Sequence, residues 1–247
     1  MDTAQNPLQF MEFSQTVSME ICRYLQSGNI SDQQLQELIG KKDDIKNIAK
    51  EIAHKYLQLV PEQILLAKEL IERFYKEVFN HKLSLSKVVF PTQSGFSAYH
   101  FNTGRFDEDQ IMEAYKKKWG IDLYEWMSLA ANKIDHSKDQ KRPKTPYPFA
   151  HVGGDETDTA HLGKSYDDAM AEKMIFANSV EYLLMTGLHK FEKDFFMDKK
   201  GWTRTSSLGS DGSFVDGCWD DSSGELGLSS GHSDNRISDI GPRQLIL

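Results

Sequence analysis

Apolar side chains recur at three- and four-residue steps through the first third of the chain, the spacing that lines one face of an α-helix. Leu8, Met11, Val17, Ile21, Tyr24 and Leu25 form the first stripe, and Gly28-Asn29 ends it. Ser31-Asp32-Gln33-Gln34 has capping-box spacing ahead of a short face made by Leu35, Leu38 and Ile39. Ile45, Ile48, Ile52, Tyr56 and Leu59 make a third stripe. Pro61 suits the first turn of a fourth helix, where its missing N–H is not needed. That helix is the most apolar, with Ile64, Leu65, Leu70, Ile71, Phe74, Val78 and Phe79 set against Lys68, Glu69, Glu72 and Lys76. Core packing is the plain reading of these stripes, and a partner-binding groove is the alternative.

From Leu83 the period changes. Leu83-Ser84-Leu85-Ser86 and Val88-Val89-Phe90 read as strands or an extended arm, interrupted by Pro91 and Gly95. Asp107 can cap a helix that runs through Lys118 and stops at Gly120, and Leu123 to Ile134 reads as another helix. His136 to Pro148 reads as a loop, and Phe149 to Val152 as a short strand entering Gly153-Gly154. Asn178-Ser179-Val180-Glu181 again has capping-box spacing and opens a helix carrying Tyr182, Leu183, Leu184 and Met185. Short strands are expected at Phe214-Val215, Glu225 to Leu228 and Gln244 to Leu247, with turns and loops between them. No repeat of solenoid period is present. The pattern predicts an α+β protein, with a helical region over residues 1–82 and a second domain over 83–247.

Composition narrows the function class. The 247 residues are 39% hydrophobic, enough for one good core or two modest ones. Twenty-nine Lys and Arg against 37 Asp and Glu give a net charge of −8, which argues against a general nucleic-acid binder. Cys22 and Cys218 are the two cysteines, too few for a disulfide framework or a Cys-rich zinc module. No apolar run reaches the roughly 18 residues of a membrane span. The start MDTAQNPLQFMEF lacks the basic-then-apolar pattern of a secretory signal, so a cytoplasmic location is expected.

Candidate chemistry is sparse. His151, Asp155, Glu156, Asp158 and His161 fall within eleven residues and are sound ligand types, but their spacing fits no zinc motif, and an acidic helix-capping loop explains them as well. Gly153-Gly154 belongs to neither phosphate-loop pattern. Cys218 has acidic neighbours, Asp216, Asp220 and Asp221, which oppose thiolate formation. Ser206 and Ser207 lack the context of a nucleophile elbow, and Asp211-Gly212 lacks the other ligands of a calcium loop.

The unusual segment is the tail. Residues 201–247 hold 8 of the 17 Gly and 10 Ser, yet none of the 22 Lys or 9 Met. Gln occurs there only at Gln244 and Glu only at Glu225. Randomising both adenines of an Asn codon reaches Ser, Gly, Asp, His and Asn but never Lys, Met, Gln, Glu or Trp. The depletion fits that rule, and it also fits a region that is merely rich in Gly and Ser.

The tail reads Gly201-Trp202-Thr203-Arg204-Thr205-Ser206-Ser207-Leu208, then Asp211-Gly212, Gly217-x-Trp219 and Glu225-Leu226, and it closes on Asp234-Asn235-Arg236-x-x-Asp239-x-Gly241-Pro242-Arg243. This resembles the variable region of diversity-generating retroelement variable proteins with a C-type-lectin-like fold, in particular the small ones of candidate-phyla bacteria. The ending is also similar to that of formylglycine-generating enzymes, which share the fold. Upstream, Glu72 to Phe79 and Glu181 to Leu184 look like recurrent segments of the same small proteins, so the resemblance spans roughly residues 70–247.

The resemblance implies a C-type-lectin-like domain over 83–247 that binds ligands without catalysis or cofactor. The loops would be diversified while the scaffold stays fixed. It further implies that Trp202 and Trp219 bury large area, that Leu226 and Leu228 face the core, and that Arg243 makes a buried ion pair or carbonyl contact. The implied ligand-facing positions are Gly209, Asp211, Ser213, Asp216, Cys218, Asp220, Ser229, Ser230, Gly231, His232, Ser233, Ile237 and Ser238. The partner would be a protein or other macromolecule, with further association through the N-terminal helices. Two alternatives stay open: a helical partner-binding scaffold whose tail is a β cap, and an enzyme on the same fold. A formylglycine-type oxidase needs two nearby active-site cysteines, and this sequence has no such motif.

Overall fold

A computed structural model describes residues 62–123, 133–232, 234 and 236–247. They belong to the second of two units into which the chain divides, Glu62–Leu247. This second unit begins at Glu62. The stripes expected before Pro61 and most of the helix expected over Leu123 to Ile134 lie outside the described residues.

Helix α1, Glu62–Phe79, buries Ile64, Ile71 and Phe74 of the predicted stripe and adds Tyr75, while Leu70, Val78 and Phe79 are half-buried and Leu65 is exposed. Lys68, assigned by the pattern to the polar face, is buried too: its stem packs inward and its ammonium lies 5.9 Å from the centre of the Phe90 ring. Residues 83–90 form an extended arm with a turn and no strand, and Leu85 is fully buried in the main core. Helix α2, Glu108–Trp119, starts where the capping box requires. Asp107 accepts the Gln110 N–H at 2.9 Å, Gln110 returns the contact at 3.2 Å, and Gly120 ends the helix at φ 66°. Helix α3, Tyr166–Ala171, is capped in the same way by Ser165 and Asp168. Helix α4, Ser179–Lys193, has Asn178 and Glu181 in those roles and is buried along most of its length.

Strands β1 (Ala98–Asn102), β3 (Tyr147–His151) and β8 (Leu245–Ile246) form an antiparallel sheet in the order β1-β3-β8. The larger sheet contains β2 (Asp122–Leu123), β4 (Trp202–Leu208), β5 (Phe214–Asp220), β6 (Glu225–Gly231) and β7 (Ile240–Pro242), in the order β2-β6-β5-β4-β7. The main core joins α1, α2 and α4 to β1 and to Val215, Leu226 and Leu228 of the larger sheet. The unit is thus an α+β fold. Among the described residues no helix is long and apolar enough to cross a membrane.

β4 corrects the expectation of turns and loops after residue 201. Thr203, Arg204, Thr205, Ser206 and Ser207 show no polar–apolar alternation, yet all five are fully buried. Their polar atoms are met from every side. Thr203 donates to Asp198 at 2.6 Å, Thr205 donates to the Val215 carbonyl at 2.7 Å, and Ser207 lies 3.0 Å from Ser179. Satisfied in this way, polar side chains can fill an interior strand at little net cost.

Gly217 lets this sheet meet α4. A β-carbon there would sit 2.0 Å from the Tyr182 ring. Replacing Gly217 with Ala is expected to destabilise the unit by about 3 kcal/mol, the upper part of the overpacking range. Urea unfolding measures it, and pairing the change with Tyr182→Leu should recover part of the loss. An unchanged unfolding midpoint for the single variant would contradict the packing described.

Candidate binding face

The antiparallel pairing of β5 with β6 sets Asp216 opposite Ser229, Cys218 opposite Gly227 and Asp220 opposite Glu225. Because successive strand residues point to opposite faces, Val215, Gly217, Trp219, Leu226 and Leu228 share one face. That face is the core side. The opposite, outer face carries Phe214, Asp216, Cys218 and Asp220 from β5 and Glu225, Gly227, Ser229 and Gly231 from β6. On the far side of β5, Arg204 of β4 lies opposite Asp216.

Five of the positions expected to face a ligand therefore lie on one surface: Asp216, Cys218, Asp220, Ser229 and Gly231. The turn from β4 to β5 holds three more, Gly209, Asp211 and Ser213. Asp211 accepts both the N–H and the hydroxyl of Ser213, at 3.0 and 2.6 Å. Ser230 is exposed but belongs to the other face by its pairing with Val215. His232, Ile237 and Ser238 are exposed on the connection from β6 to β7, and Ser233 lies outside the described residues.

Exposure corrects three of these positions. Asp216 and Cys218 are only 5% and 6% exposed, and Gly209 is buried. A β-carbon at Gly209 would sit 2.7 Å from Asp211 and 2.8 Å from Ser213, so this glycine shapes its turn. Trp202 and Trp219 are half-buried rather than deep, and Trp219 stacks on Phe196 with ring centres 4.6 Å apart.

Part of the outer face is roofed. Tyr166, Ala169, Met174 and Phe176 cluster with Phe214 and Leu208. Arg204 lies over the Phe214 ring at 4.3 Å, donates to the Lys164 carbonyl at 2.6 Å, and has Nε 3.5 Å from Asp216 Oδ1. Arg236 grips Asp168 of α3 through two bonds of 2.8 and 2.7 Å, tying the connection from β6 to β7 to that roof. Beneath the sheet, Arg243 makes the buried contacts that the resemblance implies, donating to Asp198 at 2.7 Å and to the Gly153 carbonyl at 3.3 Å. No sequence motif pointed to Asp198.

The titratable groups around this face are held in unreactive forms. Burial, with Asp198, Asp220 and Asp216 nearby, pushes the Cys218 thiol up to about 12, so thiolate is scarce at neutral pH. Ser179, Glu108 and His136 make a superficially triad-like chain. Its order is wrong: Glu108 sits between the serine and the histidine, bonding to Ser179 and lying 3.3 Å from His136. His136 is held protonated to about pH 10 by Asp139 and Glu108, and Ser179 is fully buried. This chain borders an open groove of about 570 Å³ lined by Asn102, Gln110, Asp139, Arg142 and Tyr147.

The His151-to-His161 cluster is dispersed in space. His151 accepts the Gly153 N–H, Asp155 pairs with Lys193 at 2.7 Å, Glu156 accepts the Lys200 N–H, and Asp158 caps a short 3-10 turn. Among the described residues no three His, Cys, Asp or Glu side chains converge on a metal-sized site. Comparison of the chain with protein-family models, with curated proteins and with solved structures finds no match.

Asp216 gives this face a pH signature. Burial outweighs the pull of Arg204 and raises its carboxyl from 3.8 to about 7. A raised carboxyl favours the fold most below the unfolded value, and that contribution drains away as pH climbs toward 7. Asp216→Asn should therefore remove a decline in stability between about pH 4 and 7, read by thermal unfolding at each pH. An identical pH profile in the variant would contradict this.

Proposed function

We propose that residues 62–247 are a recognition domain of C-type-lectin-like kind, non-catalytic, whose tail displays changeable residues to a macromolecular ligand. The observation that carries this reading is the placement of Asp220 and Ser229 at accessible positions of the outer face, with the turn bearing Asp211 and Ser213 at its edge and His232, Ile237 and Ser238 exposed on the next connection. Alternation separates this set from the residues that build the core. A side chain replaced at the exposed positions of the outer face and its turns leaves Leu226, Leu228 and Gly217 where they are. Small polar residues crowd the face and its turns, and such residues adapt their hydrogen bonding as paratope loops do. A rigid scaffold carrying variable surface residues is the physical requirement for a protein that changes target without refolding. The absence of Lys and Met after residue 200 agrees with adenine-directed variation.

The reading predicts the behaviour of two libraries. One randomises Asp211, Ser213, Asp220, Ser229, Ser230, His232, Ile237 and Ser238. Most of its members should stay folded by protease resistance, and selection should yield binders to unrelated protein targets. The other randomises Thr203, Gly217, Leu226, Leu228 and Arg243 and should lose the fold in nearly every member. Equal survival of the two libraries, or no binders from the first, would refute the proposed role.

A further inference from the structure

Behind the smaller sheet lies a cluster of buried bases that the binding face does not use. His100 of β1, His151 of β3 and His189 of α4 are only 5%, 2% and 8% exposed. The His100 ring stacks on two others, with centres 5.2 Å from Phe149 and 5.0 Å from His151. Neither of its nitrogens has a hydrogen-bond partner among the described residues. A neutral imidazole always carries one N–H, so His100 buries a donor without an acceptor. His151 Nδ1 accepts the Gly153 N–H at 2.9 Å. His189 Nε2 lies 3.4 Å from Asp155 Oδ1 without a hydrogen bond, and Lys193 holds that same oxygen at 2.7 Å. The other charged groups facing the cluster are Arg243, from the link between β7 and β8, and Asp198, which Arg243 engages at 2.7 Å.

We propose that His100, His151 and His189 form an acid-sensitive latch, whose protonation opens the smaller sheet and frees the end of the tail from Asp198. Three local effects of added charge act together. Imidazolium at both His100 and His151 sets like charges face to face in a stacked pair. A protonated His151 Nδ1 can no longer accept the Gly153 N–H, and the Gly153 carbonyl is itself a partner of Arg243 at 3.3 Å. Each new cation also stands near Arg243, with only Asp198 and Asp155 to offset it. Opening gives the charged rings to water.

The direction in pH follows from the same contacts. Burial, with Arg243 and His189 nearby, lowers His100 from 6.5 to about 3, and burial with Lys193 lowers His189 to about 4. Burial, His100, Arg243 and His189 hold His151 well below 6.5. In the open form these groups titrate near 6.5. The latch is therefore fully closed above that pH and weakens as pH falls toward the lowered values, by about tenfold per histidine per pH unit. The sign is opposite to that of Asp216.

Amide hydrogen exchange of the full chain, read as protection relative to an unstructured chain, tests this at pH 7.5 and 5.0. Segments 98–102, 147–153 and 240–247 should lose about thirtyfold or more in protection at pH 5.0, while α1 and α2 keep theirs. His100→Phe keeps a stacking ring that cannot protonate, and His189→Gln keeps a neutral polar side chain. Each should recover about tenfold or more of the loss. His81→Gln removes an imidazole outside the cluster and should recover none. Either cluster variant decides if the other fails to fold, and the wild-type profile decides without them. Protection retained in the three segments at pH 5.0 would overturn the latch. Equal loss over α1 and α2 would overturn it as ordinary acid unfolding, and a loss that neither cluster variant reduces would assign the effect to other groups.

Discussion

Asp198 is the carboxylate on which this fold turns. It is fully buried and sits at φ 58°, a left-handed conformation that Asp tolerates better than most residues. Its side chain takes Thr203 from β4, Thr157 from the loop after β3, and Arg243 from the link between β7 and β8. Its backbone carbonyl accepts the Trp219 N–H of β5, and its N–H donates to Asp155. Arg243 extends the network to Gly153, at the end of the smaller sheet. One charge thus links both sheets and the loop between β3 and α3. Removing one partner of such a buried pair leaves the other charge stranded, on the order of 3–5 kcal/mol. The end of the tail is held by this anchor through Arg243.

The two faces of the larger sheet differ in what covers them. The inner face is committed to α4: Leu226 and Leu228 are fully buried, and Gly217 admits the Tyr182 ring. The outer face is roofed where Phe214, Arg204 and α3 meet, Cys218 and Gly227 are buried as well, and the face continues into polar turns. Burial of Asp216 and Cys218 makes the centre of this face partly structural, leaving the edges and connections as its freely exposed part.

Local signals were the most legible part of the sequence. The caps at Asp107 and Asn178 and the stop at Gly120 each depend on neighbours within four residues, and each appears where its spacing says. Leu226 and Leu228 were legible because a half-buried strand alternates. β4 was hidden because its neighbours bury both of its faces, and Ser and Thr carry no hydrophobic period; only the two β-branched threonines hinted at a strand. The burial of Asp216 could not be read because it depends on cross-strand packing, with Arg204 of β4 lying 3.5 Å from its carboxylate. Asp198 was invisible for a similar reason, since two of its three side-chain partners, Thr157 and Arg243, lie 41 and 45 residues away.

The most direct measurement of the central claim is long-read sequencing of the gene with a few kilobases on either side. The account predicts a second, near-identical copy of the codons for roughly residues 201–247 beside a reverse-transcriptase gene. The two copies should differ at adenines, and the differing codons should map to the outer face and its connecting turns. A locus with no such copy, or differences falling on Thr203, Gly217, Leu226 and Leu228, would contradict the account.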